Sequence, residues 1–199
     1  CCMVHRGGLG YEKNTGDGAG ILTGLPTEFL RRVARNELDT ELPQEGAFGA
    51  GVVFLPRDAD EQAHCKRVFE STIVEAGQRL IGWRKLPIQA DKADIGDAAR
   101  AAMPAMEQVF IASNNGLEGD ALERKLYLIR KHATHQLRSD EELVERSLFY
   151  VCSLSTKVII YKGMLTPHQL YDFFPDLGEN DYQTHLAMVH SRFSTNTFP

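Results

Sequence analysis

The stretch "NTGDGAGIL", Asn14 to Leu22, sets Gly16, Gly18 and Gly20 around a single aspartate and then turns apolar. The order of these residues decides which folds are open. In phosphate-binding loops the glycines follow a strand and open a helix, whose free N–H groups face the phosphate. Here the glycines come before the apolar segment, and no Gly-Lys followed by Ser or Thr is present. A nucleotide cradle is disfavoured. A calcium loop would need acidic ligands at alternating positions, and Asp17 follows only Glu12. The reading that remains is a tight turn with backbone positions that need positive φ, feeding a strand and positioning Asp17 and the neighbouring Arg6.

Reading outward, Ile21 to Leu25 is a short apolar run ended by Pro26, and Thr27 is placed to cap a helix from Glu28 that carries Phe29, Leu30 and Val33. Gly46 to Leu55 is β-rich, and Asp58 or Asp60 starts a helix that stops around Gly77. "RLIGWRKLPI" reads as extended, Gly96 to Met106 as a short helix or loop, and "QVFIAS" as a buried strand. Leu117 to Leu137 is the longest helical pattern, with Leu122, Leu126, Ile129 and Ala133 on one face. "FYVCSLS" and "KVIIYKG" read as strands joined in a hairpin around Ser155 and Thr156, a short helix spans Leu170 to Phe174, and "LAMVHSRFS" is a last strand. No linker or repeat divides the 199 residues, so one domain is expected. Because a hairpin requires antiparallel pairing, a mixed or antiparallel sheet in an α/β or α+β layered fold is favoured.

Composition narrows the partners. The chain is 43% hydrophobic, enough for a core, and carries a net charge of −5 without one long basic stripe, so no nucleic-acid footprint is visible. No apolar run approaches the ~20 residues of a membrane span, and no secretion signal is apparent. A cytoplasmic protein without a membrane partner is expected. Cys1, Cys2, Cys65 and Cys152 are too few and too irregular for a disulfide framework, and no Cys-x-x-Cys pair suggests zinc or an iron–sulfur cluster. His132 and His135 stand at helical spacing but lack a third ligand, and His5 and His190 sit beside the two polar motifs.

The end of the chain, "HSRFSTNT", follows the apolar "LAMV" with several hydrogen-bond donors, which suits the rim of a cleft. Arg192 could clamp an α-carboxylate in a bidentate pair. It could equally pair with a core aspartate such as Asp17.

Taken together, "MVHRGGLGYEKNTGDGAGILTGLP" and "HLAMVHSRFSTNTFP" closely resemble the glutamine amidotransferase domain of the large chain of glutamate synthase, and "ERKLYLIRK" and "FYVCSLSTKVIIYKGMLTPHQL" look like that family too. The resemblance covers essentially the whole chain. It implies an N-terminal-nucleophile hydrolase fold, a four-layer αββα sandwich of two mainly antiparallel sheets, incomplete here at both ends. It also implies hydrolysis of L-glutamine by an N-terminal cysteine whose own α-amine is the base, giving a glutamyl thioester and ammonia. An α-amine of pKa near 8 can take a thiol proton at neutral pH. In the full enzyme the ammonia would serve the reductive amination of 2-oxoglutarate to L-glutamate, with FMN, an iron–sulfur cluster and NADPH, NADH or ferredoxin as electron donor. No cofactor is expected within these residues.

Carried over residue by residue, Arg192 matches the arginine that holds the glutamine α-carboxylate, and Phe193 and Thr195 match the strand edge that shapes the pocket. Arg6, Gly7, Gly16 and Asp17 match the motif that supports the pocket wall. The family's nucleophile lies a few tens of residues before His-Arg-Gly and is followed by glycine. His5 comes only four residues after Cys1, so the resemblance places the catalytic thiol upstream of this chain and Cys1 is not expected to be it. The oxyanion element would lie beyond Pro199. Residues 1–199 are thus expected to be a partial domain, inactive alone, joined to the remaining synthase domains and to a small electron-transfer subunit. Two alternatives stay open: an amidotransferase serving another acceptor, and a non-catalytic glutamine-binding module.

Overall fold

The computed structural model describes residues 12–191. Element order is β1 (Ala19–Gly24), α1 (Thr27–Leu38), β2 (Phe48–Leu55), α2 (Ala59–Glu75), β3 (Gln78–Lys85), α3 (Asp97–Ala101), β4 (Ala105–Ser113), α4 (Gly119–Ser139), β5 (Tyr150–Val151), β6 (Val158–Gly163), α5 (Gln169–Phe173) and β7 (Ala187–His190). The strands form two sheets, a three-stranded one in the order β6-β1-β7 and a four-stranded one in the order β3-β4-β2-β5. The pairings of β1 with β7, β2 with β4 and β5, and β3 with β4 are all antiparallel. The fold is α+β. It comprises two compact units, one built from residues up to Thr23, Pro87–Met103 and those from Ile160 on, the other from Gly24–Leu86 and Pro104–Ile159.

The larger unit is organised by β2, whose "FGAGVVFL" is buried along nearly its whole length. It pairs with β4 over eight residues, from Phe48↔Ala112 to Leu55↔Ala105. Strand alternation sends Val53 and Leu55 of β2, with Val109 and Ile111 of β4, to one face. There they meet Phe69 and Ile73 of α2 and Leu122, Leu126, Ile129, Ala133 and Leu137 of α4 in one apolar cluster. Gly49 lies under α4, where a β-carbon would overlap Leu126 Cδ1, so its lack of a side chain sets how closely that helix approaches. α1 packs beside β3. Arg84 of β3, only 4% exposed, donates from Nε to Glu37 of α1 at 2.8 Å and from Nη1 to Gln108 of β4 at 2.8 Å. The buried guanidinium is thereby satisfied on two sides.

Local signals act as their chemistry dictates. Asp58 caps α2 by accepting from the Asp60 and Glu61 N–H groups, both at 3.0 Å, and Gly77 ends the helix region at φ 74°. α4 buries the four residues expected of it, with Leu137 added.

Two expectations fail. Thr27 is the first residue of α1 and not its cap, because its hydroxyl donates to the Leu25 carbonyl while Pro26 occupies the cap position without a side-chain bond. The hairpin around Ser155 and Thr156 does not form either, since β5 lies in the four-stranded sheet and β6 in the three-stranded one. Partners remote in sequence hold the chain there. Ser155 bridges to Ala50, and Glu123 of α4 accepts from both the Thr156 N–H and its hydroxyl, at 2.7 and 2.8 Å. The antiparallel sheets thus owe nothing to that turn.

Leu126→Ala should cost about 2–5 kcal/mol in urea unfolding, and Gly49→Ala about 1–3 kcal/mol through overpacking. Combined, they should cost clearly less than the sum, because the shortened side chain vacates the space the new methyl enters. Strict additivity would contradict the contact.

Candidate functional site

The glycine turn is fixed before its strand begins. Thr15 is buried and donates to Glu12 Oε2 at 2.6 Å. The same carboxylate oxygen accepts from the Ala98 N–H in the first turn of α3, at 3.2 Å. On the other side Gln169, at the start of α5, donates from Nε2 to the carbonyls of Asn14 and Asp94, at 2.9 and 3.0 Å, and accepts from the Thr166 N–H at 2.8 Å. The Asn14 carbonyl also accepts from the Gly96 N–H at 3.0 Å. Two separate segments, the start of α3 and the start of α5, therefore converge on residues 12–15.

Each glycine that follows has a steric reason. A β-carbon on Gly16 would overlap the carbonyl of Leu165 and the Thr166 nitrogen, which are backbone atoms and cannot swing away. Gly18 has φ 123°, a conformation that a side chain disfavours. Gly20 lies between β6 and β7, where a β-carbon would stand 2.6 Å from His190 Cε1 and 2.8 Å from Lys162 Cβ. The turn runs into β1 and not into a helix, so it aims no helix N-terminus at a ligand.

β1 and β7 pair from Gly20↔His190 through Ile21↔Val189 and Leu22↔Met188 to Thr23↔Ala187. This ladder brings the glycine motif and the "AMVH" that precedes Arg192 side by side, although they stand at opposite ends of the sequence. β7 is exposed, with Met188 62% and Val189 58% accessible. Partial burial of its ring and the neighbouring Lys162 charge push the His190 imidazole below its ordinary value.

Of the residues expected at the site, Gly16 is buried in the turn as described, and Asp17 lies exposed at the bend beside it. Asp17 is therefore not a core residue, and its pairing with Arg192 lies outside the described residues. Arg6, Gly7, Arg192, Phe193 and Thr195, with Cys1, Cys2 and His5, lie outside the described residues. His132 and His135 are exposed on α4, and among the described residues no three His, Cys, Asp or Glu side chains are grouped to hold a metal ion. Cys65 and Cys152 are buried free thiols, and burial pushes the Cys65 thiol up to about 12. A raised pKa is the opposite of what a nucleophilic thiol at Cys65 would need. No helix among the described residues is long and apolar enough to cross a membrane.

Residues 1–199 match the family of class-II glutamine amidotransferases. The chain belongs to that family. It is 40% identical, over all of its length, to the NADPH-dependent glutamate synthase large chain of Bacillus subtilis, of which it covers 12%. It is 36% identical over 99% of its length to the NADH-dependent glutamate synthase of Saccharomyces cerevisiae, covering 9% of that protein. It is also 35% identical over its whole length to ferredoxin-dependent glutamate synthase 2 of Synechocystis, covering 12%. The chain thus spans about a tenth of the curated relatives it matches.

The Thr15 hydroxyl and the Ala98 N–H hold the Glu12 carboxyl below its ordinary value of 4.5. Its folded pKa is below its unfolded one, so its contribution to stability is present above about pH 4.5 and is lost as pH falls through the folded value. Glu12→Gln should accordingly lower the melting temperature at about pH 7 and change it little at about pH 3. A deficit that persists unchanged at the lower pH would remove the carboxylate from the turn.

Proposed function

We propose that this chain forms one wall of the glutamine-hydrolysing site of a glutamate synthase large chain, in which ammonia released from L-glutamine is used to aminate 2-oxoglutarate reductively. The observation that carries the reading is the Gly20↔His190 pairing, which sets side by side the two stretches on which the family resemblance rests. Arg192, two residues past β7, is read as the clamp for the glutamine α-carboxylate, with Phe193 and Thr195 shaping the pocket. Arg6, Gly7, Gly16 and Asp17 are read as its support. A guanidinium offers two parallel N–H donors to a carboxylate, which both binds the substrate and fixes where its side-chain amide lies.

The nucleophile in this reading is an N-terminal cysteine upstream of residue 1. Its thiol passes its proton to the free α-amine, and the sulfur attacks the side-chain amide carbon of glutamine. The proton goes to the departing nitrogen as ammonia leaves, and water then opens the thioester to give glutamate. The described residues hold no donor set for an iron–sulfur cluster, and no step here passes through that cluster or FMN. Both belong, in this reading, to the remaining synthase domains. Relatives named for NADPH, NADH and ferredoxin match at 40%, 36% and 35% identity, which supports placing the choice of donor, and any small electron-transfer subunit, outside this segment. A cytoplasmic setting suits the buried free thiols.

In the full-length polypeptide, Arg192→Ala should lower kcat/KM for glutamine-dependent ammonia release by about 30-fold or more, mainly through KM, as expected for loss of a charged substrate contact worth about 2 kcal/mol or more. An unchanged KM would remove the clamp, and glutamine binding without ammonia release would favour a sensor. Mass spectrometry of the native polypeptide should find a mature Cys-Gly N-terminus upstream of His5. A mature protein that begins at Cys1 would overturn the placement of the nucleophile.

A further inference from the structure

The strand that leads to Arg192 has little burial to hold it. β7 is four residues long and all four are exposed, so side-chain packing does not specify its register on β1. The segment before it is anchored instead by a buried polar chain. The Tyr182 hydroxyl lies 2.8 Å from Thr23 Oγ1, and Thr23 is the β1 residue that pairs with Ala187, the first residue of β7. Tyr182 is also hydrogen-bonded to Tyr161, whose ring it meets edge-on at 6.1 Å between centroids. Tyr161 donates in turn to Asp176 Oδ2 at 3.1 Å. Thr23, Tyr161 and Asp176 are all buried.

A carboxylate only accepts, so Tyr161 donates to Asp176, while the two hydroxyls of the Thr23–Tyr182 bond can each take the donor role. Burial pushes the Tyr182 phenol well above its ordinary value.

We propose that Tyr182, held by the Tyr161–Asp176 pair, is a positioning residue for glutamine: its bond to Thr23 sets the register of β7 on β1 and through it the reach of Arg192 toward the substrate carboxylate. The inference rests on the reading of Arg192 as the clamp. A slip of one residue would turn every side chain of β7 to the opposite face and move His190 off Gly20.

The test is glutamine-dependent ammonia release by the full-length polypeptide. Tyr182→Phe keeps the ring and removes the hydroxyl, and Thr23→Val keeps the shape and removes the other end of the bond. Each should raise the glutamine KM about tenfold while kcat stays within about twofold, the scale of one lost buried hydrogen bond. Thr23→Ser restores a hydroxyl and should keep the parental KM. An unchanged KM in Tyr182→Phe and Thr23→Val overturns the proposal, as does a fall in kcat at constant KM or a Thr23→Ser enzyme as impaired as Thr23→Val. Should Tyr182→Phe fail to fold, the two Thr23 variants decide the matter. Arg192→Ala separates the two claims. If it raises KM while Tyr182→Phe does not, only the positioning role falls, and if it leaves KM unchanged the clamp and the positioning role fall together.

Discussion

The backbone at Gly16 lies against Leu165 and Thr166 so closely that no β-carbon fits between them, and the geometry of the three-stranded sheet follows from that approach. Gln169 then has its side-chain amide within reach of the Asn14 carbonyl, and its carbonyl oxygen within reach of the Thr166 N–H, so one residue ties the glycine turn to the segment it touches. β1 leaves this clamp in a fixed direction. Gly20 lets its two neighbouring strands close over it, with Lys162 from β6 and His190 from β7 meeting where a side chain would otherwise stand. Small residues serve close backbone contact here and no phosphate, and that contact brings the two ends of the sequence together.

Much of the architecture is legible in the sequence because its causes are local. The Asp58 cap, the stop at Gly77 and the apolar face of α4 each depend on residues within a turn or two of one another. Ser155 and Thr156 mislead because a short polar stretch between two β-rich segments is the ordinary sign of a hairpin, whereas their deciding partners, Ala50 and Glu123, lie far away in the chain. Thr27 misleads in a similar way. Its hydroxyl donates back to the Leu25 carbonyl and accepts from none of the first helix N–H groups.

The site is legible in outline only. The glycine pattern announces a turn that feeds a strand, but nothing local announces that this strand pairs with residues near the other end of the chain. The role of Tyr182 is not legible in the sequence for the same reason. The residue stands in the polar stretch "ENDYQTHL", and its partner Thr23 is 159 residues away. The available signal was an aromatic residue with a hydroxyl in a charged loop just ahead of an apolar strand, a place where burial of the ring obliges the hydroxyl to find a partner.

The mode of anchoring has a chemical logic of its own. Apolar packing would hold β7 against the protein, yet it is non-directional and tolerates sliding along the strand. A hydrogen bond has a preferred length and angle, and a chain of them that ends on a carboxylate leaves each hydroxyl a partner. Partial satisfaction would be worse than an apolar contact, since a buried hydroxyl left unpaired costs about 1–3 kcal/mol. That penalty is what gives the network its discrimination, because displacement of Tyr182 takes from the buried Thr23 hydroxyl its Tyr182 partner.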